Sequence, residues 1–212
     1  MATEPEVDRL DLGDGAWVDV VRGFLTGADE LYDVLVAERP WRQGRLFRYE
    51  RTIDEPRLTN AVRVTDPNVP RELLAPHRWL QHRYGARFAG FALAWYRDGN
   101  DSIAFHRDTD MRWLDETVIA ILSLGAARPF RLRPREHRNR HELDLHGAVH
   151  DLMPGSGDLL VMGGTAQHGW EHAVPKVPAL RRGRISVQWR WTSRRGRPYR
   201  GTSYRAPLYF SR

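Results

Sequence analysis

The sequence predicts an α+β fold in which N-terminal helices pack on one side of a β-sandwich or barrel. Two helical patterns come first, one starting after Thr26 and one spanning residues 70–84 between a proline and Gly85. From residue 88 onward, short apolar strands alternate with glycine-rich turns. Helices followed by many strands are typical of sheets that are covered by helices on one side.

Five segments have the character of strands. Trp17–Phe24 precedes the first helix. Phe88–Tyr96, Val118–Leu124 and Asp158–Met162 are apolar on both faces, as in covered strands, whereas Arg184–Trp191 alternates strictly between polar and apolar residues.

The composition narrows the chemistry that the chain can carry out. There is no cysteine, so disulfides, thiolate metal sites and cysteine nucleophiles are excluded, and a metal must bind His, Asp or Glu. The net charge is +6 and the positive residues are nearly all arginine. This balance permits a nucleic-acid partner, but it equally fits a solvated basic surface. No run reaches the roughly 18 apolar residues of a membrane span, and no secretory signal is seen, so we expect a cytoplasmic protein without a membrane partner.

A set of two histidines and one carboxylate is the first candidate site. His106 and Asp108 are two residues apart, and on a strand they would point to the same side. The best third ligand is His172, which precedes a Val-Pro pair. Such a set on one face of an iron leaves the other positions open for a co-substrate and oxygen. Taken singly, the triplet is weak, because the chain contains nine histidines.

The alternating strand near the C-terminus is the second candidate. Along Arg184–Arg190, two arginines, a serine and a glutamine share one face, and apolar side chains share the other. The polar face points either to solvent, as in an edge strand, or into a barrel in which two guanidinium groups hold the carboxylates of a small diacid. A diacid that chelates iron at one end and meets an arginine at the other is what a 2-oxoglutarate site requires.

In this order, the two candidates resemble the Fe(II)/2-oxoglutarate oxygenases of the AlkB group, whose signature is HxD…H…RxNxTxR. The segments Tyr96–Ile103, Ile121–Gly125 and Pro154–Leu159 also resemble stretches of that group. The similarity extends from about Phe88 to Trp191, roughly half of the chain. It implies a double-stranded β-helix (jelly-roll) core with the N-terminal helices packed on one side.

The resemblance also implies a reaction. His106, Asp108 and His172 would form the catalytic metal centre and bind Fe(II), with 2-oxoglutarate and O2 as co-substrates. The implied activity is oxidative demethylation of N-alkylated bases in DNA or RNA, of the 1-methyladenine and 3-methylcytosine type, as in DNA repair. Succinate, carbon dioxide and formaldehyde would be released.

Four residues are implied to bind the co-substrate. Arg184 and Tyr96 would hold the distal carboxylate of 2-oxoglutarate. Arg190 would lie by the carboxylate that chelates the metal, and Ser186 would keep one hydrogen-bonding group beside it.

Three positions depart from the signature. The family's Asn within the RxNxTxR strand is Ser186 here, its Thr is Gln188, and the Asn two residues before the tyrosine is Ala94. Ala94 keeps no hydrogen-bonding group. These changes bear on co-substrate affinity and base preference more than on the type of reaction.

Three further residues are candidates for contact with the substrate. Asp110 matches the family position of an acid that touches the base. A base inside a duplex must be flipped out or be presented on a single strand, and Phe47 or Tyr49 could cover it against His106. The alternative is that these aromatic residues anchor a hairpin, since residues 41–64 read as hairpins or loops near the surface.

The resemblance also suggests how the chain is divided. We expect a single dioxygenase domain, acting as a monomer, with helices and substrate-recognition hairpins in residues 1–87. The jelly-roll catalytic core would occupy residues 88–191, and residues 192–212 would form a basic C-terminal tail.

Two other functions stay open at this point. One is an Fe(II)/2-oxoglutarate hydroxylase that acts on a protein or a small molecule. The other is a non-catalytic nucleic-acid-binding domain on the same scaffold. All three metal ligands and both arginines are retained, which argues against the non-catalytic domain.

Overall fold

The computed structural model describes residues 5–48, 50–108, 111, 116–137 and 149–192. Its strands, in chain order, are β1 (Asp8–Gly13), β2 (Ala16–Val21), β3 (Arg42–Arg48), β4 (Arg51–Arg63), β5 (Gly90–Tyr96), β6 (Ile103–His106), β7 (Thr117–Gly125), β8 (Phe130–Pro134), β9 (His150–Leu152), β10 (Leu159–Gly164), β11 (Trp170–Val174) and β12 (Arg184–Thr192). The helices are α1 (Ala28–Glu38), α2 (Leu74–Tyr84) and α3 (Ala166–Gly169), with 3-10 turns at Arg71–Leu73 and Arg135–His137.

The strands form two antiparallel sheets. The large sheet has the order β1-β2-β10-β7-β12-β5-β4-β3, and the small sheet has the order β6-β11-β8-β9. Strand β12 lies inside the large sheet, where it pairs with β7 along its whole length and with β5 on its other side. The large sheet also takes in β1–β4, which precede residue 88.

The helices, the large sheet and the small sheet form three stacked layers, with the large sheet in the middle. On one face of the large sheet, Leu35 of α1 and Leu80 of α2 pack in the same apolar cluster as Val187 of β12. On the other face, Ile121 of β7 shares a second cluster with Leu132 of the small sheet. The helices therefore cover one side of a sheet sandwich, as the sequence predicts. Within the described ranges, no helix is long and apolar enough to cross a membrane.

The start of the chain departs from the predicted boundaries in two details. Strand β2 ends at Val21 rather than Phe24, because Gly23 turns the chain with φ 57° and donates its N–H to the carboxylate of Asp158. The first helix is preceded by Gly27 in the left-handed conformation and has no side-chain cap, so the cap predicted at Thr26 is wrong.

The second helix and the hairpin that precedes it agree with their sequence patterns. Helix α2 begins at Leu74 after a 3-10 turn, and Gly85 ends it in the left-handed conformation. Pro76 lies within its first turn, where a missing N–H breaks no helical hydrogen bond. The stretch 41–64 forms the β3–β4 hairpin, and β4 continues the large sheet beside β5.

A buried histidine connects α2 to β12. The indole N–H of Trp189 donates to Nδ1 of His77 at 3.2 Å, and both side chains are buried. Burial, aided by the neighbouring Arg78, lowers the pKa of His77. The hydrogen bond requires an unprotonated Nδ1, so protonation would break it.

This contact predicts a loss of stability in acid. The folded protein takes up the His77 proton less readily than the unfolded chain, so stability should fall as the pH drops below about 6.5, the ordinary histidine pKa. We expect His77→Phe to lose less of its free energy of unfolding between pH 7.5 and pH 5 than the unmodified protein. Urea unfolding of the metal-free proteins measures this, with His82→Phe on the exposed face of α2 as the control. Equal pH dependence in all three proteins would refute the prediction.

Candidate active site

A cavity of about 930 Å³ lies between the two sheets. The large sheet contributes alternate residues of β7 and β12 and several residues of β5 to its walls, and the small sheet contributes residues of β6 and β11. One end of the cavity extends along β4 and reaches β3. Because side chains alternate along a strand, Ser186, Gln188 and Arg190 of the predicted polar face of β12 line the cavity rather than facing bulk solvent, and Arg184 of the same face is buried.

The structure brings the three predicted metal ligands together in this cavity. His106 and His172 are directly paired across β6 and β11, with their ring centroids 4.2 Å apart. Nε2 of His106 lies 3.6 Å from Oδ1 of Asp108. One potential ligand atom from each residue can be chosen so that all lie within 4.8 Å of one another. This donor set of two imidazoles and one carboxylate is one that iron(II) oxygenases use.

The expectation that Asp108 lies on the same strand as His106 is wrong. Strand β6 ends at His106. Asp108 follows it, and other contacts turn its carboxylate toward the histidines. Arg190 donates from Nε to Oδ2 at 2.6 Å, and the side chain of Gln167 accepts a hydrogen bond from the Asp108 N–H at 2.9 Å.

The protonation states suit a divalent metal. Burial lowers the pKa of His172 to about 3, and burial also lowers the pKa of His106. Burial alone would raise the pKa of Asp108, but Arg190 and the two histidines outweigh it and hold that pKa well below its usual range. At neutral pH the cluster therefore offers two neutral imidazoles and one carboxylate, which is the state that binds metal.

A hydrogen bond to the main chain fixes which ring nitrogen of His106 carries the proton. Nδ1 lies 2.9 Å from the carbonyl oxygen of Ala104. A carbonyl only accepts, so Nδ1 carries the proton and Nε2, which faces Asp108, keeps its lone pair for a metal.

The first residue of β12, Arg184, is a buried arginine that is only partly paired. Arg184 is fully buried and lies opposite Tyr96 on β5. Its Nη2 donates to Ser123 at 2.9 Å, but Nε and Nη1 find no partner among the described residues. Burial lowers the pKa of Arg184 to about 10, although the group stays charged at neutral pH. An incompletely paired buried cation is costly, and the carboxylate of a bound ligand would compensate for it.

A second buried arginine holds this end of the cavity in place. Arg128 donates to the carbonyl oxygens of Asp98, Asp101 and Pro175, and its guanidinium group lies 5.2 Å from the centre of the Tyr96 ring. These carbonyls belong to the segments that leave β5, enter β6 and leave β11. Arg128 thus fixes the ends of strands that carry predicted site residues.

The remaining co-substrate candidates line the cavity wall. Arg190 donates from Nη2 to the side-chain oxygen of Gln188 at 2.7 Å, in addition to its bond with Asp108. Ser186 is paired with Ala94 across β12 and β5, and both line the cavity. Ala94 therefore leaves an apolar gap beside Ser186, whereas Gln188 adds an amide to the wall.

The substrate contacts predicted for Phe47, Tyr49 and Asp110 stay predictions. Phe47 belongs to β3, but its side chain lies outside the described residues, as do Tyr49 and Asp110.

The sequence pattern does not reveal other residues of the site, among them Arg57 on the cavity face of β4. Arg57 alternates with Thr59 and Ala61 along β4, and this signal becomes readable only once β4 is known to pair with β5.

Comparisons with known proteins agree with this geometry. A family model described as the 2OG-Fe(II) oxygenase superfamily matches residues 67–190. The chain is 29% identical to the alpha-ketoglutarate-dependent dioxygenase alkB homolog 3 of Rattus norvegicus over 197 residues, covering 87% of this chain and 66% of that protein. It is 25% identical to the DNA oxidative demethylase ALKBH2 of Arabidopsis thaliana over 225 residues, covering 88% of this chain and 69% of that protein. These relatives confirm the AlkB resemblance, although the chain spans slightly less than two thirds of the rat protein.

A solved structure confirms the fold. The prolyl-4-hydroxylase of Pseudomonas putida superimposes with a TM-score of 0.55 at 16% identity, covering 84% of this chain and 93% of that chain. At this identity the likeness concerns the architecture alone. The two sheets are those of the predicted double-stranded β-helix.

The buried cation of β12 predicts opposite effects on binding and stability. Arg184→Met should weaken 2-oxoglutarate binding about 100-fold, because it removes one partner of a buried charge pair. The ligand-free variant should be at least as stable as the unmodified protein, since it no longer buries an incompletely paired charge. Calorimetric titration with Mn(II) present and urea unfolding without ligand measure the two effects. Unchanged affinity would contradict the prediction, and the exposed Arg181→Met serves as the control.

Proposed function

The chain belongs to the 2OG-Fe(II) oxygenase superfamily, and from that premise we propose that it oxidatively demethylates N-alkylated bases in DNA or RNA. The substrates would be of the 1-methyladenine and 3-methylcytosine type, and the products would be succinate, carbon dioxide, formaldehyde and the unmodified base. The observation that carries the proposal is that the cavity holding the His106–Asp108–His172 cluster extends to Tyr96, and that Tyr96 is paired across β5 and β12 with the buried and only partly paired Arg184. The name of the DNA oxidative demethylase ALKBH2 supplies the substrate class, and the name of the alkB homolog 3 relative supplies the co-substrate.

The residues present fit the cofactors that the family uses. His106, Asp108 and His172 would hold Fe(II), and Arg184 with Tyr96 would receive the distal carboxylate of 2-oxoglutarate. When bound together with O2, these groups supply the oxidation that converts an N-methyl group to an N-hydroxymethyl group, which then releases formaldehyde.

The protein's own part is to orient the ligands. Arg190 binds Oδ2 of Asp108, so Oδ1 is the oxygen that faces His106. Arg190 would thereby keep the carboxylate from rotating and place a positive charge beside the metal-chelating end of the co-substrate. Gln188 holds the other arm of the same guanidinium group.

The charge of the cavity supports a polyanionic substrate. Five arginines line it against two aspartates: Arg42, Arg57, Arg63, Arg107 and Arg190, with Asp66 and Asp108. Asp108 is paired with Arg190 in the interior, so the end of the cavity along β4 is predominantly basic. A basic rim around a recessed reaction centre suits a base that is presented from a phosphate backbone, either flipped out or single-stranded.

The proposed reaction is tested by its products. Iron-loaded protein supplied with O2 and 2-oxoglutarate should release formaldehyde in proportion to succinate when given oligonucleotides containing 1-methyladenine or 3-methylcytosine. His106→Ala should reduce both products at least 100-fold, because it removes a metal ligand. His82→Ala, on the exposed face of α2, should behave like the unmodified protein. If succinate release did not increase with any methylated oligonucleotide, the protein would be an oxygenase that acts on another substrate.

The basic end of the cavity predicts a measurable salt effect. Arg42→Gln should weaken binding of a methylated oligonucleotide and reduce the slope of log Kd against log salt concentration by about one, as expected for one lost phosphate contact. Fluorescence anisotropy between 50 and 300 mM salt measures the slope. Arg78→Gln on α2, on the opposite side of the large sheet, is the matched charge control. Identical slopes for both variants would show that Arg42 does not contact the phosphate backbone.

A further inference from the structure

Asp108 needs support that the sheet does not give. The antiparallel ladder of β6 and β11 pairs His106 with His172 and so fixes the two histidines. The strand ends there, and the main chain of Asp108 is left outside the ladder. A carboxylate on a loop reaches a metal reproducibly only when its backbone is held by other contacts.

Gln167 supplies such a contact. Its side-chain oxygen accepts a hydrogen bond from the Asp108 N–H at 2.9 Å, and Gln167 is 1% exposed. The Asp108 carbonyl in turn accepts from the N–H of Met111 at 3.0 Å. Beside this bond, Arg107 donates to the carbonyl oxygen of His168 at 3.2 Å. Residues 107 and 108 are thus joined to the single turn of α3 by two hydrogen bonds.

Helix α3 is a fixed base for this contact. The hydroxyl of Thr165 donates to the carbonyl oxygen of Asp14 at 2.7 Å, which ties the start of α3 to the turn between β1 and β2. Gly164 approaches the same turn with φ 62°, and any side chain there would collide with the carbonyl oxygen of Gly15. Helix α3 runs directly into β11, which places Gln167 five residues before His172.

We propose that Gln167 is a positioning residue of the metal centre. Its amide oxygen fixes the main chain of Asp108 relative to the segment that carries His172, so that the carboxylate meets both histidines and Arg190. The proposal rests on the metal centre of the proposed function and goes beyond it by assigning a residue that contacts neither metal nor substrate. Loss of such a supporting hydrogen bond typically weakens metal binding about 10- to 100-fold.

The chain offers a matched control. The side-chain oxygen of Gln81 accepts a hydrogen bond from the N–H of Phe88 at 3.2 Å, a bond of the same type between α2 and the approach to β5. Gln81→Met and Gln167→Met each remove one side-chain acceptor from one backbone N–H and keep a similar volume. Gln167→Glu keeps an acceptor oxygen at the same distance from the backbone.

The test compares Mn(II) affinity, Co(II) absorption spectra and metal-free thermal unfolding in the full chain without 2-oxoglutarate. We expect Gln167→Met to bind Mn(II) at least tenfold more weakly and to change the visible Co(II) spectrum. Gln81→Met should match the unmodified protein in both, and Gln167→Glu should restore the affinity. The two Met variants should unfold at similar temperatures without metal, since each loses one hydrogen bond.

Other outcomes would overturn the proposal. Unchanged Mn(II) affinity in Gln167→Met would do so, as would an equal loss in Gln81→Met or no recovery in Gln167→Glu. If the unmodified protein bound no Mn(II), the metal centre itself would fail. Normal metal binding without release of formaldehyde from methylated oligonucleotides would count against the proposed function alone.

Discussion

The alternation of side chains along β12 is the constraint on which both cores and the cavity depend. Val187 and Trp189 are fully buried toward the helices, while Gln188 and Arg190 line the cavity on the other face. A shift of one residue would exchange the two faces, placing the indole of Trp189 in the cavity and a guanidinium group in the apolar layer. The nine-residue ladder with β7 and the bond from Trp189 to His77 hold the register.

The two arginines of β12 are paired differently, and this difference would orient a diacid bound in the cavity. Arg190 is neutralised by Asp108, so its charge serves to orient a metal ligand. Arg184, six residues earlier and on the same face, donates from Nη2 to the hydroxyl of Ser123, while its Nε and Nη1 have no hydrogen-bond partner among the described residues. A diacid would therefore bind with one end at the metal and the other at Arg184. The guanidinium group of Arg184 is buried with incomplete hydrogen bonding, which is energetically costly, and the carboxylate of a bound ligand would reduce this cost.

What the sequence could predict follows from how local each signal is. The polar face of β12 and the ligands His106 and His172 were predictable because strand periodicity and motif order are local properties. The sequence pattern places Asp108 in the right cluster but for a wrong geometric reason, since β6 ends before it. The hydrogen bond from Asp108 to Gln167 joins residues 59 positions apart, and α3 has only four residues. Such a short helix has no periodicity to read, so its role appears only in three dimensions.

The three metal ligands are therefore held by different means. Backbone pairing of β6 with β11 fixes the two histidines, and any disturbance of them must break a sheet ladder. The carboxylate depends on side chains, namely Gln167 at its backbone and Arg190 at its oxygen. Because α3 is tied to the β1–β2 turn through Thr165, a change in that turn would act on Asp108 through one side-chain hydrogen bond, whereas His172 is also held by its ladders with β6 and β8. The position of the carboxylate is thus set by two side chains, Gln167 and Arg190, that are not themselves metal ligands.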